Sequence, residues 1–177
     1  TTSRRFFALK DLYDDNKIER MPSSLDKCIN AVLIANKKYW NFEVNFRNCN
    51  VHKFVKGDRY SPHNDVLNLR HGRCYFKENT DHHMITFVIQ LSDLKDKTGG
   101  SFQLLTPDHK VQHEFKEMNK GDAVIFPAYE NHAVSKVMSG ERYSLTGWFT
   151  GPPMHTQSAS QKWLLKHKYR QIFYGKF

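Results

Sequence analysis

The sequence predicts a mainly β fold with flanking helices, of the sandwich or barrel type. Two observations carry that prediction. From Val51 to Phe149 the chain is a succession of short apolar or β-branched runs divided by turn residues, the spacing of a sandwich or barrel. On either side of that block the apolar spacing becomes helical. A third observation bounds the size: 177 residues fit one domain and can bury a full core. The expected layout is a single domain over 1–177, with an N-terminal helical region over about 1–41, a β core over about 42–152 and a C-terminal helix over about 158–173. No repeat, low-complexity tract or interdomain linker interrupts it.

The elements follow in chain order. Ser23 can cap a helix over about 22–40, because Ser-Ser-Leu-Asp26 offers a capping box. Leu25, Cys28, Ile29, Val32 and Leu33 then recur on one helical face. Phe42, Val44 and Phe46 alternate like a strand. Gly57-Asp58 and His71-Gly72 mark turns. The run Ile85 to Leu91 is a strong strand, Lys97-Thr-Gly-Gly100 a turn, and Ser101 to Leu105 another strand. Lys120-Gly-Asp122 turns into the strand Ala123 to Phe126. His132–Val137 and Arg142–Phe149 are expected to pair as a hairpin around Ser139-Gly140. The basic stretch Lys162-Trp-Leu-Leu-Lys-His-Lys-Tyr-Arg170 fits an amphipathic helix packed across the sheet.

Composition excludes several classes. The chain is 39% hydrophobic and 25% charged, the balance of an ordinary globular domain. No apolar run approaches a membrane span, so no membrane partner is expected. Thr1-Thr-Ser-Arg-Arg lacks the following apolar region of a signal peptide, although a start without Met is compatible with processing. Three cysteines without close pairs argue against a disulfide scaffold. They favour a reducing, intracellular and cytoplasmic setting. The net charge of +9 is spread along the chain and is weak evidence for a nucleic-acid partner.

The residues that carry chemistry are His63, Asp65, His132 and Arg142. With ten histidines in the chain, a His-x-Asp pair alone is prone to chance. On a strand, however, His63 and Asp65 would point to one face. His132 opens a later strand, so a sheet that folds back can deliver a third donor. Two histidines and a carboxylate hold a metal and leave its other positions open. Zinc hydrolases use the same donors. Arg142 separates the two readings, because a guanidinium grips a carboxylate bidentately and a buried one needs such a partner. Alternation places Ser144, Thr146 and Trp148 on the face of Arg142. Taken alone, Arg142 would read as an exposed hairpin arginine.

Several collinear motifs go further. Phe54-Val-Lys-Gly-Asp-Arg-Tyr-Ser-Pro-His-Asn-Asp65 resembles the strand carrying the first two iron ligands of prolyl-4-hydroxylase-like, Fe(II)- and 2-oxoglutarate-dependent dioxygenases. Ile85 to Asp93, Thr98-Gly-Gly-Ser-Phe102 and Lys120-Gly-Asp-Ala-Val-Ile-Phe-Pro127 are similar to the strands that follow. Asn131-His132 and Gly140-Glu-Arg-Tyr-Ser-Leu-Thr-Gly-Trp-Phe149 are similar to the closing signature. The resemblance runs from about Val51 to Pro152, over half the chain.

That resemblance implies a double-stranded β-helix, a jelly roll related to the cupins. It implies Fe(II) held by His63, Asp65 and His132. It implies 2-oxoglutarate bound to that iron, its distal carboxylate on Arg142, with Thr146 and Gln90 facing it. The reaction implied is hydroxylation of a C–H bond by O2 with release of succinate and CO2, with ascorbate as an accessory reductant. A prolyl residue of a peptide or protein is the leading substrate; a free amino acid or other small molecule, or an inactive binding module, is the alternative. Tyr60, Tyr129 and Trp148 are candidates to line the pocket. Phe54 stands where many relatives carry a tyrosine and Gln90 where some prolyl hydroxylases use another, and His52 and His83 could supply replacements for the lost contacts. Ser144 and Trp148 replace the asparagine and second arginine of the nucleic-acid demethylase branch, which argues against a nucleic-acid substrate.

Overall fold

The computed structural model describes residues 5–8, 23–70, 73–76, 82–152 and 173–176. The elements in order are β1 (Arg5–Ala8), α1 (Ser23–Tyr39), β2 (Asn45–Val55), β3 (Tyr60–His63), β4 (Leu67–Arg70), β5 (Arg73–Phe76) and β6 (His82–Gln90). A 3-10 turn (Leu94–Asp96) leads to β7 (Lys97–Gly99), β8 (Phe102–Leu105), β9 (Val111–Phe115), β10 (Asp122–Pro127), β11 (Asn131–Val134), β12 (Val137–Gly151) and β13 (Phe173–Lys176). The major sheet runs β1-β2-β12-β6-β10-β13, with β7 also on β12; the minor sheet runs β3-β11-β8-β9. All these pairings are antiparallel. The two sheets face one another as a jelly roll, as the sequence predicts.

Strand alternation divides the core in two. The odd residues Ile85, Phe87 and Ile89 of β6, Ala123 and Ile125 of β10, and Phe149 of β12 pack with Cys28, Val32 and Ala35 of α1. The even residues Val88, Val124 and Phe126 turn the other way and meet Phe102, Leu104 and Val134 of the minor sheet. β6 is therefore buried on both faces, which explains its nearly continuous apolar sequence. Each fully buried Phe or Ile in these layers contributes roughly 1.5–3 kcal/mol relative to exposure.

Helix α1 docks through Cys28, Val32 and Ala35, spaced four and three residues apart. The expected stripe is narrower than its composition suggested: Leu33 is 40% exposed and lies outside it. The helix ends where Asn41 takes a left-handed φ of 55° and donates its N–H to Asn36 O at 2.7 Å. The Asn36 amide then clamps both backbone groups of Phe42, at 2.9 and 3.0 Å. That clamp keeps Phe42 and Val44 out of the ladder, so the strand expected there begins at Asn45. No described helix is long and apolar enough to cross a membrane. Cys28 and Cys49 are free and buried, and burial pushes their thiols up to about 12 and about 11.

Two expectations need correction, and a third falls almost wholly outside the described residues. The region expected to be helical over about 1–41 contains a strand, Arg5–Ala8, which pairs with β2. The C-terminal helix expected over about 158–173 lies outside the described residues apart from Phe173, which opens β13 on β10. The hairpin around Ser139-Gly140 does not form. β11 belongs to the minor sheet and β12 to the major one, so the chain crosses between sheets at Ser135 and Lys136. Gly140 sits inside β12 opposite Lys97, where φ is 72° and a Cβ would fall 1.9 Å from Asp96 O. The glycine thus serves a close backbone approach, a requirement that mimics a turn signal in sequence.

Gly147 has a different role. A Cβ there would lie 2.2 Å from Phe87 Cζ and 2.9 Å from Cys49 Cβ, on the face packed toward α1. Gly147→Ala is expected to destabilise the domain by about 1–3 kcal/mol through overpacking. A denaturant titration checks this, with a lowered midpoint at unchanged slope as the expected result.

Candidate metal centre and anion pocket

His63 closes β3 and His132 is the second residue of β11; the two are direct cross-strand partners. Their ring centroids are 4.2 Å apart. Each ring is oriented the same way. His63 Nδ1 lies 2.8 Å from Ser61 O, and His132 Nδ1 lies 2.9 Å from Glu130 O. A carbonyl oxygen only accepts, so Nδ1 carries the hydrogen and Nε2 of the neutral ring presents a lone pair.

Asp65 reaches the same point by a route that strand parity did not foresee. β3 ends at His63, and Asp65 lies in the bend that follows. Its N–H donates to Ala128 O at 2.9 Å, while the Asn64 side chain accepts from the N–H of Val66 and donates to Asn131 Oδ1, each at 3.2 Å. Asp65 Oδ1 is 3.6 Å from His63 Nε2, and Oδ2 is 3.8 Å from His132 Nε2. One donor atom from each of the three residues falls within 4.8 Å of the others, the sole such group of three or more among the described residues.

Oδ2 also accepts from Thr86 Oγ1 at 2.6 Å and from Trp148 Nε1 at 2.9 Å. Burial pushes the Asp65 carboxyl up, but His132, the Thr86 hydroxyl, His63 and the Trp148 indole together hold it below the ordinary carboxylate range. The group is a carboxylate at neutral pH. Two neutral imidazoles and one carboxylate fit a divalent first-row metal with open positions.

Arg142 enters from β12 of the opposite sheet and is only 1% exposed. Its Nη1 donates to Ser144 Oγ at 2.8 Å, and the guanidinium lies over the Phe54 ring at 5.3 Å. Nε and Nη2 have no partner among the described residues. Burial pulls the guanidinium down to about 10, still charged at neutral pH. The buried cation faces a cavity of about 110 Å³ lined by His52, Phe54, Tyr60, Val88, Thr146 and Trp148 together with the three metal-donor residues. Successive even residues of β12 lie about 6.6 Å apart along the strand. Trp148 stands at the metal end, Ser144 holds the guanidinium, and Thr146 lies between. The orphaned donors of Arg142 fit the distal carboxylate of a short dicarboxylic acid whose other end meets the metal.

The remaining expected site residues divide. Tyr60 lines the cavity, its ring 3.9 Å from that of His63. Trp148 lines it too, and its indole N–H orients Asp65. Gln90 does not line it: its amide turns away to donate to Ser92 O at 3.1 Å. Tyr129 sits in the turn between β10 and β11 and is likewise absent from the lining. Thr86 was not foreseen. It shows in sequence only as one polar residue in an apolar strand, at the parity of the inner face. Thr86→Val keeps shape and removes the donor, so metal affinity is expected to fall about 10- to 100-fold with stability nearly unchanged. Calorimetric metal titration reads that change directly.

Residues 49–150 match the 2OG-Fe(II) oxygenase superfamily. The chain belongs to that superfamily, whose description carries iron(II) and 2-oxoglutarate. It is 32% identical to a PKHD-type hydroxylase of Prochlorococcus marinus (strain MIT 9215), over 54% of this chain and 38% of that relative. The chain thus spans well under half of that relative's length. Among solved structures, a Pseudomonas putida prolyl-4-hydroxylase is similar with a TM-score of 0.57 at 22% identity, covering 84% of this chain and 71% of that one. The viral collagen prolyl hydroxylase of Paramecium Bursaria Chlorella virus-1, solved as a 2OG complex, gives 0.54 at 18% identity, covering 85% and 80%. These similarities establish the shared fold.

Proposed function

We propose that this chain is the catalytic domain of an Fe(II)- and 2-oxoglutarate-dependent dioxygenase. It hydroxylates a C–H bond, of a prolyl residue in a peptide or protein, with release of succinate and CO2. The observation that carries the reading is the buried Arg142, whose two unpartnered donors share a cavity with the three-donor cluster. A buried cation without an anion is costly, so the cavity is built for one. Arg142 supports this reading over a zinc hydrolase or an inert binding module because it places an anion-binding group in the same cavity as the three metal donors. In this reading residues 1–177 form one domain around a jelly-roll core over about 42–152.

Each residue has a defined task. His63, Asp65 and His132 hold the metal, and Thr86 and Trp148 fix the Asp65 carboxylate. Arg142, held by Ser144, receives the distal carboxylate of 2-oxoglutarate, with the Thr146 hydroxyl beside it. Bound iron and 2-oxoglutarate supply the oxidative decarboxylation that drives hydroxylation. Phe54, Val88, Phe102 and Val134 keep water from the cosubstrate, while Tyr60 and Trp148 border the metal end. The solved relatives named as prolyl hydroxylases make prolyl peptides the first substrates to try.

The test supplies Fe(II), 2-oxoglutarate, O2 and ascorbate to the protein with proline-containing peptides or free proline. Succinate formation together with a +16 Da peptide product is the expected result. Product on free proline alone would move the substrate to small molecules. Absence of any 2-oxoglutarate turnover in the iron-loaded protein would falsify the enzymatic reading.

A further inference from the structure

We propose that His52 is a second binding residue for the distal carboxylate that Arg142 receives; the inference rests on the 2-oxoglutarate reading above. It comes from the register of β2 against β12. Arg142 pairs with Phe54, and Ser144 pairs with His52. His52 and Phe54 share the inner face, and both line the cavity. The arginine does not stay at its own level. Its guanidinium crosses the Phe54 ring and reaches Ser144 Oγ, the level His52 occupies on the neighbouring strand. An anion that satisfies Nε and Nη2 there meets the imidazole directly, since cross-strand partners have Cβ atoms about 5 Å apart.

The chemistry suits this. A carboxylate has about four lone-pair sites, and a bidentate guanidinium uses two. An imidazole N–H from the side completes the set. The ring is 5% exposed and stacked on Phe54, with centroids 6.3 Å apart and planes 13° apart, so it is held in place before any anion arrives. The remaining polar side chain at the level of Ser144, Gln90, is committed to Ser92 O. His83 serves elsewhere: it stacks on Trp148 at 5.4 Å and is absent from the lining.

The alternative role for His52 is packing, and ligand choice separates the two. The measurement is anaerobic calorimetry on the Fe(II)-loaded protein with 2-oxoglutarate and with 2-oxobutanoate, which lacks the distal carboxylate. His52→Phe is expected to weaken 2-oxoglutarate binding about 10-fold or more, as for loss of a hydrogen bond to a charged group. Its affinity for 2-oxobutanoate is expected to stay within about twofold. His52→Gln, which retains a donor, is expected to recover most of the loss and guards against a folding defect of the Phe variant. Equal loss of both acids, or unchanged 2-oxoglutarate affinity in His52→Phe, would overturn the proposal. Wild-type protein that binds iron but not 2-oxoglutarate would instead overturn the functional reading itself, before the variants are compared.

Discussion

Arg142→Met is expected to make the ligand-free protein more stable and to abolish 2-oxoglutarate binding. The two effects have one cause. Arg142 is 1% exposed, with two of its three nitrogens unpartnered. Burial pulls its folded-state value down to about 10, well below the ordinary arginine range, which corresponds to a burial penalty of roughly 3 kcal/mol. For a base, a lowered folded value means the penalty is fully present below about 10 and is relieved only above it. It therefore burdens the empty protein across the whole physiological range. Methionine fills similar space without the charge, so the thermal midpoint should rise, by on the order of 1–3 kcal/mol in stability. Affinity for 2-oxoglutarate should fall about 100-fold or more, because a desolvated carboxylate loses its charged partner. Iron binding should be spared, since Arg142 touches none of the metal donors. Thermal unfolding without ligand and calorimetry with 2-oxoglutarate read the two signs separately. A variant less stable than wild type when empty would show that Arg142 is a structural residue.

The four principal residues were legible because collinear motifs over half the chain single them out together, although neither the His-x-Asp pair nor Arg142 stands out alone. The parity of β12 placed Arg142, Ser144, Thr146 and Trp148 on one face, and all four line the cavity. The apolar strand at Ile85–Leu91 was legible because burial on both faces leaves few polar residues. What escaped was set by tertiary partners. Asp65 reaches the cluster through the Asn64–Asn131 contact and Ala128, which no local pattern encodes. Gly140 mimicked a turn signal, although its reason is the backbone of Asp96 on another segment. Gln90 has the parity of the inner face, yet a carbonyl two residues on claims its amide. The role of Thr86 depends on a carboxylate 21 positions away. Periodicity settles which face a residue occupies; it does not settle which partner claims it.

His63→Ala is expected to remove metal binding with little cost to the empty fold, and this asymmetry follows from where the two histidines sit. The side chain of His63 is 24% exposed at the end of an edge strand, whereas that of His132 is 5% exposed with its ring 5.0 Å from Phe126. Loss of the His132 ring would create a cavity in the core between the sheets, so its effects on metal and on folding would be entangled. Loss of the His63 ring gives up contacts at the rim of the cavity, with the Tyr60 ring at 3.9 Å, the His132 ring at 4.2 Å and Ser61 O at 2.8 Å. Metal affinity should fall by more than about 100-fold, beyond the range for residues that merely orient a ligand. The linked stability separates the causes. At a metal concentration 100 times the wild-type Kd, bound metal stabilises the native state by about 2.7 kcal/mol. That increment should vanish in His63→Ala, while the metal-free midpoints of variant and wild type remain within about 1 kcal/mol. Wild-type metal affinity in His63→Ala would remove it from the ligand set. A large loss of metal-free stability would show that His63 supports the edge of the minor sheet in its own right.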